Sequence, residues 1–520
     1  MNKKSLTIVH INAYEQTGGA GKVLWRLHNE QHQKGHDVHI LAGRITSQSN
    51  NSHLLDITVS EEYHKFCTDK GFLYYECQES HKLVDHPQIR NADIIHLHVL
   101  HGGFFNPFTV LLLTQIKPVI WTFHDMQAFT GHCCHSFTCN RWQTGCGECP
   151  ELIAYPELSV DSTAMLWQDK QLLYHHSLFQ IVTPSQWMKN IVSKSMVNHL
   201  PIELIYNGVD TSIFRRYDTT DIKRQFKIPD NAIVVGGVSC GGPLVNTWKG
   251  SLFSVLALQH MFQKYDNMFY IGIGTDIGAR NEGTLHIPFV KDELTLAHLY
   301  SMMDIFLIPS IADNCPLVVL EALACGIPIV AFETGGIPEL VRHHQEGLVV
   351  EKRNINELIK GIDLLFQNAD LRKRLGKNAR HRATTHFDHH LISNQYEKLY
   401  YNWIEQWHKK RFNIPHIPIH QLPIPIQLNA FEFAYQSVIQ QLIQEGESYF
   451  QEGQIERAKK CFINVLEKDD KQSIAWNNLG VIFFHENESQ MAEKCFKLAI
   501  DLNNSFQDAM NNLNALKIRQ

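Results

Sequence analysis

Two tandem stretches of this chain alternate short β-branched runs with segments of helix length, and that alternation restricts the fold more than any other feature. From Leu6 to about Trp187 the runs are LTIVHIN, DVHIL, ADIIHLHV, VIWTF and FQIVTPS, with patterns such as GGAGKVLWRLHNEQHQKG between them. After Pro201 the alternation restarts with IELIYNG, AIVVGGVS, MFYIGIG, IFLIPS and IPIVAF. Apolar strands separated by helices specify parallel sheets, because a parallel connection needs a long crossover to return to the same end. The prediction is α/β: two Rossmann-like, doubly wound domains at 1–190 and 191–385. Helical periodicity then runs from Ile355 to about Glu405, so a helix at 386–411 is expected to cross back onto the first domain.

The segment FNIPHIPIHQLPIPIQL carries four prolines, which forbid a central strand or helix and predict a semi-rigid extended linker at 412–430. Behind it the sequence repeats every 34 residues: Gly446, Ala458 and Phe462 recur as Gly480, Ala492 and Phe496. That period, with small residues where helices cross, is the tetratricopeptide pattern, and 431–520 is expected to be all-α. Ala509, Asn512 and Leu513 begin a third half-unit that serves as a cap. Such repeats present a concave surface to a protein partner, and Asn477, Asn478 and Asn512 could hydrogen-bond a peptide backbone there. Packing on the enzyme or dimer formation are open alternatives.

Charge bounds the partners. With 47 basic and 53 acidic residues the formal net charge is −6, which gives no bulk attraction for nucleic acid. No run reaches the roughly 18 apolar residues that span a bilayer. The run from Leu6 to Ile11 leads into a Gly-rich turn, as a buried first strand does and a secretion signal does not. The expected location is therefore cytoplasmic, with peripheral contact at the inner face of a membrane left open. Twelve cysteines are then expected as reduced thiols.

Three places carry candidate chemistry. The turn Gly18-Gly19-Ala20-Gly21 follows a strand and opens a helix, where bare backbone and the helix N-terminus suit a phosphate. In ADNCPLVVLEALACGIPIVAFETGGIPELV, Asp313 or Asn314 is placed to cap a helix that has Pro316 in its first turn and Gly326 at its end. Glu321 lies two turns into that helix, and a second glycine pair, Gly335-Gly336, follows the next strand. Both turns fall at the carboxyl ends of strands, where open parallel sheets bind ligands and acids can hold sugar and ribose hydroxyls. The third place is the cysteine-rich segment 131–150, described below.

Asp313 through Val341 resembles the donor-binding region of retaining glycosyltransferase family four, whose members have the two-domain GT-B fold; the resemblance covers about residues 5–405. The family has Glu-x7-Glu here and this chain Asp-x7-Glu. The resemblance implies that Asp313 approaches the sugar of a nucleotide-sugar donor and Glu321 its ribose. His124, just past VIWTF, falls where the family keeps an active-site histidine near the donor sugar. Lys249, in NTWKGS, falls on the donor diphosphate. Gly18, Gly19, Asn314, Gly335 and Gly336 complete the expected donor site. The family commonly adds an arginine upstream of that lysine, and GGVSCGGPLVNTWKG has none, so half of the phosphate clamp is absent or comes from elsewhere. The implied reaction retains anomeric configuration, needs no cofactor and passes the sugar to a glycan or lipid-linked acceptor, in surface polysaccharide synthesis.

GHCCHSFTCNRWQTGCGECP places Cys146 and Cys149 in knuckle spacing, and Cys133 and Cys139 could complete a four-sulfur structural zinc site, with His132 and His135 as alternative ligands. A similar insertion occurs in exopolysaccharide-related members of the family. A set of free thiols near the acceptor cleft is the competing reading. Two other functions stay open: a GT-B scaffold with impaired catalysis that works through its repeats, and a phosphorylase or epimerase, which would turn over donor without an acceptor sugar.

Overall fold

A computed structural model describes residues 4–276, 278–414 and 428–519. The linker expected at 412–430 lies outside the described residues from 415 to 427.

The first sheet holds β1 (Thr7–Tyr14), β2 (Asp37–Arg44), β3 (Ser52–Leu54), β4 (Ile94–Leu97), β5 (Val119–Thr122), β6 (Phe179–Thr183) and β7 (Ile202–Leu204), in the order β3-β2-β1-β4-β5-β6-β7. All its pairings are parallel. The strand in IELIYNG, expected to open the second domain, closes this first sheet instead: Ile181, Val182 and Thr183 pair with Ile202, Glu203 and Leu204. A crossover through the helix Gln186–Val192 returns the chain to the adjacent edge, and a strand after a helix reads in sequence the same way whether it extends one sheet or begins another.

The second sheet holds β8 (Ile233–Val238), β9 (Met268–Thr275), β10 (Ala279–Asn281), β11 (Thr284–Pro288), β12 (Ile305–Ile308), β13 (Ile329–Phe332) and β14 (Gly347–Val350), in the order β10-β11-β9-β8-β12-β13-β14. Only the edge strand β10 is antiparallel. Strand order reverses between β1 and β4 in one sheet and between β8 and β12 in the other, so each domain has its ligand crevice at those strand ends.

The helix His389–Lys410 ties the two domains. It follows Phe387, whose carbonyl accepts from Val209 N–H, and then lies against the first domain. There Gln31 donates to the Tyr400 hydroxyl at 3.1 Å, and that hydroxyl meets His96 Nδ1 at 2.8 Å.

Five helices follow: Leu428–Gln451, Ile455–Lys468, Ser473–His485, Ser489–Leu502 and Gln507–Arg519. They are built for close crossing. A methyl on Gly446 or Gly480 would meet the ring of Phe462 or Phe496 at 2.8 and 2.6 Å. The first of these helices packs on the first domain, where Phe431 stands edge-on to His81 and Phe108 and Gln441 donates to the Val84 carbonyl. Buried residues of the repeats and of the first sheet form one continuous apolar cluster. Asn512 donates to Asn477, Asn477 to Asn478, and Asn478 to Glu447, so the asparagines expected to greet a peptide bond one another.

Candidate functional site

Between the domains lies a cavity of about 290 Å³. Its walls bring together most of the residues singled out in the sequence: Gly18 and Gly19 after β1, His124 after β5, Lys249 after β8, and Asp313, Asn314 and Glu321 after β12. Gly335 lines a neighbouring cavity of about 550 Å³ that shares Asp313 and His135 with the first. Gly336 is packed beneath Asn314 and Ser185.

The Asp313 loop is fixed by backbone packing. The helix Leu317–Ala324 has Pro316 as its N-cap with no side-chain cap, so the expected capping by Asp313 or Asn314 does not occur. Both side chains reach elsewhere. Asp313 accepts from Lys249 Nζ at 2.7 Å, and Asn314 accepts from Ser185 at 2.5 Å while donating to the His124 carbonyl at 2.9 Å. Gly335 has φ +54°, and a Cβ there would lie 1.7 Å from the Asp313 carbonyl oxygen. The second glycine pair therefore seats the loop that carries the acid.

Glu321 is 1% exposed. Its carboxylate accepts from Arg26 at 3.2 Å and from the Tyr300 hydroxyl at 3.0 Å, with Lys22 Nζ 3.9 Å away. Arg26, buried on the first domain's opening helix, also donates to Glu293 at 2.7 Å and to the Gly208 carbonyl at 3.0 Å. Burial alone would lower its pKa, but Glu293 and Glu321 raise it, so the guanidinium is held firmly charged. Burial and the neighbouring Glu321 push the Tyr300 phenol well above its usual range. It stays protonated and donates to Glu321.

Behind His124 runs a chain of buried imidazoles. His10 Nε2 meets Gln31 Oε1 at 2.8 Å, His10 Nδ1 meets His98 Nε2 at 3.0 Å, and His98 Nδ1 meets His124 Nε2 at 3.1 Å. Burial lowers His10 to about 3 and His124 to about 4, Asp125 partly offsetting the latter, and it takes His98 well below its usual value. Each ring is therefore neutral, with one donor and one acceptor. Gln31 Oε1 can only accept, so each ring donates from Nε2 inward, toward Gln31, and His124 Nδ1 is left as an acceptor.

Cys133, Cys139, Cys146 and Cys149 lie near enough for their charges to couple, and burial first, then that coupling, raises Cys133 to about 12. Among the described residues, three other groups bring ligand atoms within 4.8 Å of one another: His10/His96/His98, Glu30/His389/His390 and His101/Asp125/Cys134. The same segment supplies Phe137 and Trp142, which with Trp187 wall the larger cavity.

Sequence reasoning missed Lys22, Arg26, Tyr300 and the histidine chain. Lys22 was legible in principle, one turn past the first glycine pair. The others meet the site only through tertiary packing.

Comparison with known proteins agrees with this fold. Residues 17–213 match the family described as Glycosyltransferase Family 4, residues 280–382 that of Glycosyl transferases group 1, and residues 474–506 the Tetratricopeptide repeat. N-acetyl-alpha-D-glucosaminyl L-malate synthase of Bacillus anthracis is 22% identical over 76% of this chain and 96% of its own. The putative colanic acid biosynthesis glycosyl transferase WcaC of Escherichia coli K12 is 25% identical over 68% of this chain and 90% of its own. Among solved structures, Anabaena Alr3699/HepE in complex with UDP-glucose superposes with a TM-score of 0.55 at 15% identity, covering 76% of this chain and 99% of that one.

Proposed function

Because the chain belongs to the GT-B glycosyltransferases of the family-four type, with tetratricopeptide repeats behind the two domains, we propose that it moves a hexosyl group from a nucleoside-diphosphate donor to a glycan or lipid-linked acceptor with retention. One observation carries this reading: a single cavity between the domains is lined by the Gly18-Gly19 turn, His124, Lys249, Asp313 and Glu321 together.

In this reading Glu321 accepts from the donor ribose, Asp313 from sugar hydroxyls, and Lys249 leaves Asp313 for the diphosphate. His124 accepts from a sugar hydroxyl through Nδ1. The acceptor enters from the larger cavity, past Phe137, Trp142 and Trp187. The oxygen of its hydroxyl bonds to the anomeric carbon as the bond from that carbon to the diphosphate breaks, and the hydroxyl proton passes to the departing diphosphate oxygen. Negative charge grows on the leaving group beside Lys249, where a preplaced ammonium stabilises the transition state more than the ground state. Domain closure excludes water that would hydrolyse the donor. The chain's own residues perform each of these steps without a cofactor.

The assignment of the WcaC relative to colanic acid biosynthesis supports work in surface polysaccharide synthesis. We place the protein in the cytoplasm, at the membrane's inner face where the acceptor is lipid-linked. No helix among the described residues is long and apolar enough to cross a membrane. A structural zinc on Cys133, Cys139, Cys146 and Cys149 fits only in part, because their sulfurs are not drawn within 4.8 Å of one another as a set. Gly131 N–H already donates to Cys146 Sγ at 3.3 Å, as an outer partner of a metal thiolate does. A protein partner on the repeats remains part of the proposal. A scaffold without catalysis is not favoured, since the relatives named above are transferases.

The test is binding and turnover of a panel of nucleotide sugars by the purified chain and by Glu321→Ala. Selective binding that the variant loses supports the reading. A folded protein that binds no donor overturns it.

A further inference from the structure

We propose that Lys22, on the first domain, is the second cation of the diphosphate site, in the role that the family gives to an arginine beside Lys249. This rests on the donor reading above.

Among the residues that line the 290 Å³ cavity, the lysine and arginine side chains are Lys22 and Lys249 alone. They approach from opposite domains. Lys249 is paired with Asp313 at 2.7 Å. The Lys22 side chain is 21% exposed, its ammonium makes no hydrogen bond among the described residues, and Glu321 is its one ion-pair partner there, at 3.9 Å.

Arg26 is the other cation near Glu321, and it cannot take the role. It is 7% exposed and spends its guanidinium on Glu293, Glu321 and the Gly208 carbonyl. Arg26 is shared between Glu293 and Glu321, and Lys249 is hydrogen-bonded to Asp313, so Lys22, held only by its 3.9 Å approach to Glu321, is the cation in the cavity most loosely committed to a protein partner.

The glycine turn that precedes Lys22 lines the same cavity. Lys22 belongs to the first turns of the helix Gly18–Gln33, whose N-cap Thr17 makes no side-chain cap and whose first turn carries no acid. Gly18 (φ +76°) and Gly19 have nothing within 4 Å of where a Cβ would stand, and both line the cavity. Free amides, a helix N-terminus and a loosely held ammonium thus face one space, a combination that recognises a phosphate.

A diphosphate held by Lys22 and Lys249 bridges the two domains. The donor itself then closes the cleft, and departure of the diphosphate product releases it.

The experiment is calorimetric binding of UDP, GDP and ADP, and of the matching monophosphates, to the full-length protein, Lys22→Met and Lys22→Arg. The wild type is expected to prefer one diphosphate over its monophosphate. Lys22→Met should weaken that diphosphate by roughly tenfold or more while the monophosphate changes less than about twofold, and Lys22→Arg should restore the preference. Equal diphosphate affinity in Lys22→Met and wild type overturns the proposal. So does equal weakening of mono- and diphosphate, which would mean that Lys22 acts only through Glu321 on the ribose. Failure of the wild type to bind any nucleotide overturns the donor reading, and this one with it.

Discussion

Arg26, on the opening helix of the first domain, donates to Glu321 of the second at 3.2 Å, with both side chains almost wholly buried. The acid expected to hold the donor ribose is therefore oriented from the opposite domain. Under the proposed function, closing the domains and completing the ribose site are one event.

Arg26→Met should loosen both. Removing one partner of a buried ion pair costs about 3–5 kcal/mol, because the other charge is left uncompensated. We expect a lower urea midpoint, a larger radius of gyration by small-angle scattering, and donor affinity reduced at least tenfold. An unchanged radius with full donor affinity would refute the coupling.

The two glycine turns should respond differently to alanine. At Gly335 a Cβ would strike the Asp313 carbonyl oxygen at 1.7 Å, whereas at Gly19 it meets nothing within 4 Å. Gly335→Ala is expected to lower the melting temperature and reduce kcat/KM by about a hundredfold or more, as displaced catalytic groups do. Gly19→Ala should melt as the wild type does and raise only the KM for donor. Thermal melts beside steady-state kinetics decide this.

The buried imidazoles set a pH dependence. His10 and His124 titrate near 3 and 4 in the fold, against an ordinary value of 6.5. Between those values the unfolded chain binds protons that the folded one excludes, so stability rises with pH. It is complete above about pH 6.5 and falls as pH drops toward 4. Each such group contributes a slope of about 1.4 kcal/mol per pH unit. Urea midpoints at pH 7, 6 and 5 should fall in that order, and His10→Gln should flatten the decline. For the same reason, protonation of His124 should not limit kcat/KM above about pH 5.

The repeats should unfold with the first domain. Phe431 is 1% exposed and wedged against His81 and Phe108, and Ser437 and Gln441 bond the same surface at Asp85 and Val84. Truncating a buried phenylalanine to alanine costs about 3–5 kcal/mol. Phe431→Ala should therefore weaken protection from hydrogen exchange in both the repeats and the first sheet. Loss confined to the repeats would show that they are an independent module.

Metal analysis of protein purified without chelator should find about one equivalent of zinc, lost in Cys146→Ser. Less than a tenth of an equivalent would remove zinc from the account of residues 133–149.

Much of this protein was determined by local pattern. Strand alternation predicted both parallel sheets, the 34-residue period predicted the helical tail, and ADNCPLVVLEALACGIPIVAF contains Asp313 and Glu321, which line one cavity. These signals are local because periodicity and turn chemistry act over a few residues. Even there, one strand was misplaced: Ile202–Leu204 is assigned by its partner, Ile181–Thr183, and pairing is not written in either strand alone. Tertiary structure alone decided that Arg26 faces Glu321 across 295 residues, that Gln31 orders the hydrogen bonds reaching His124, and that the repeats share the first domain's core. An isolated arginine, glutamine or histidine has no pattern to betray its partner. Only packing removes water from such groups and makes one distant contact outweigh hydration.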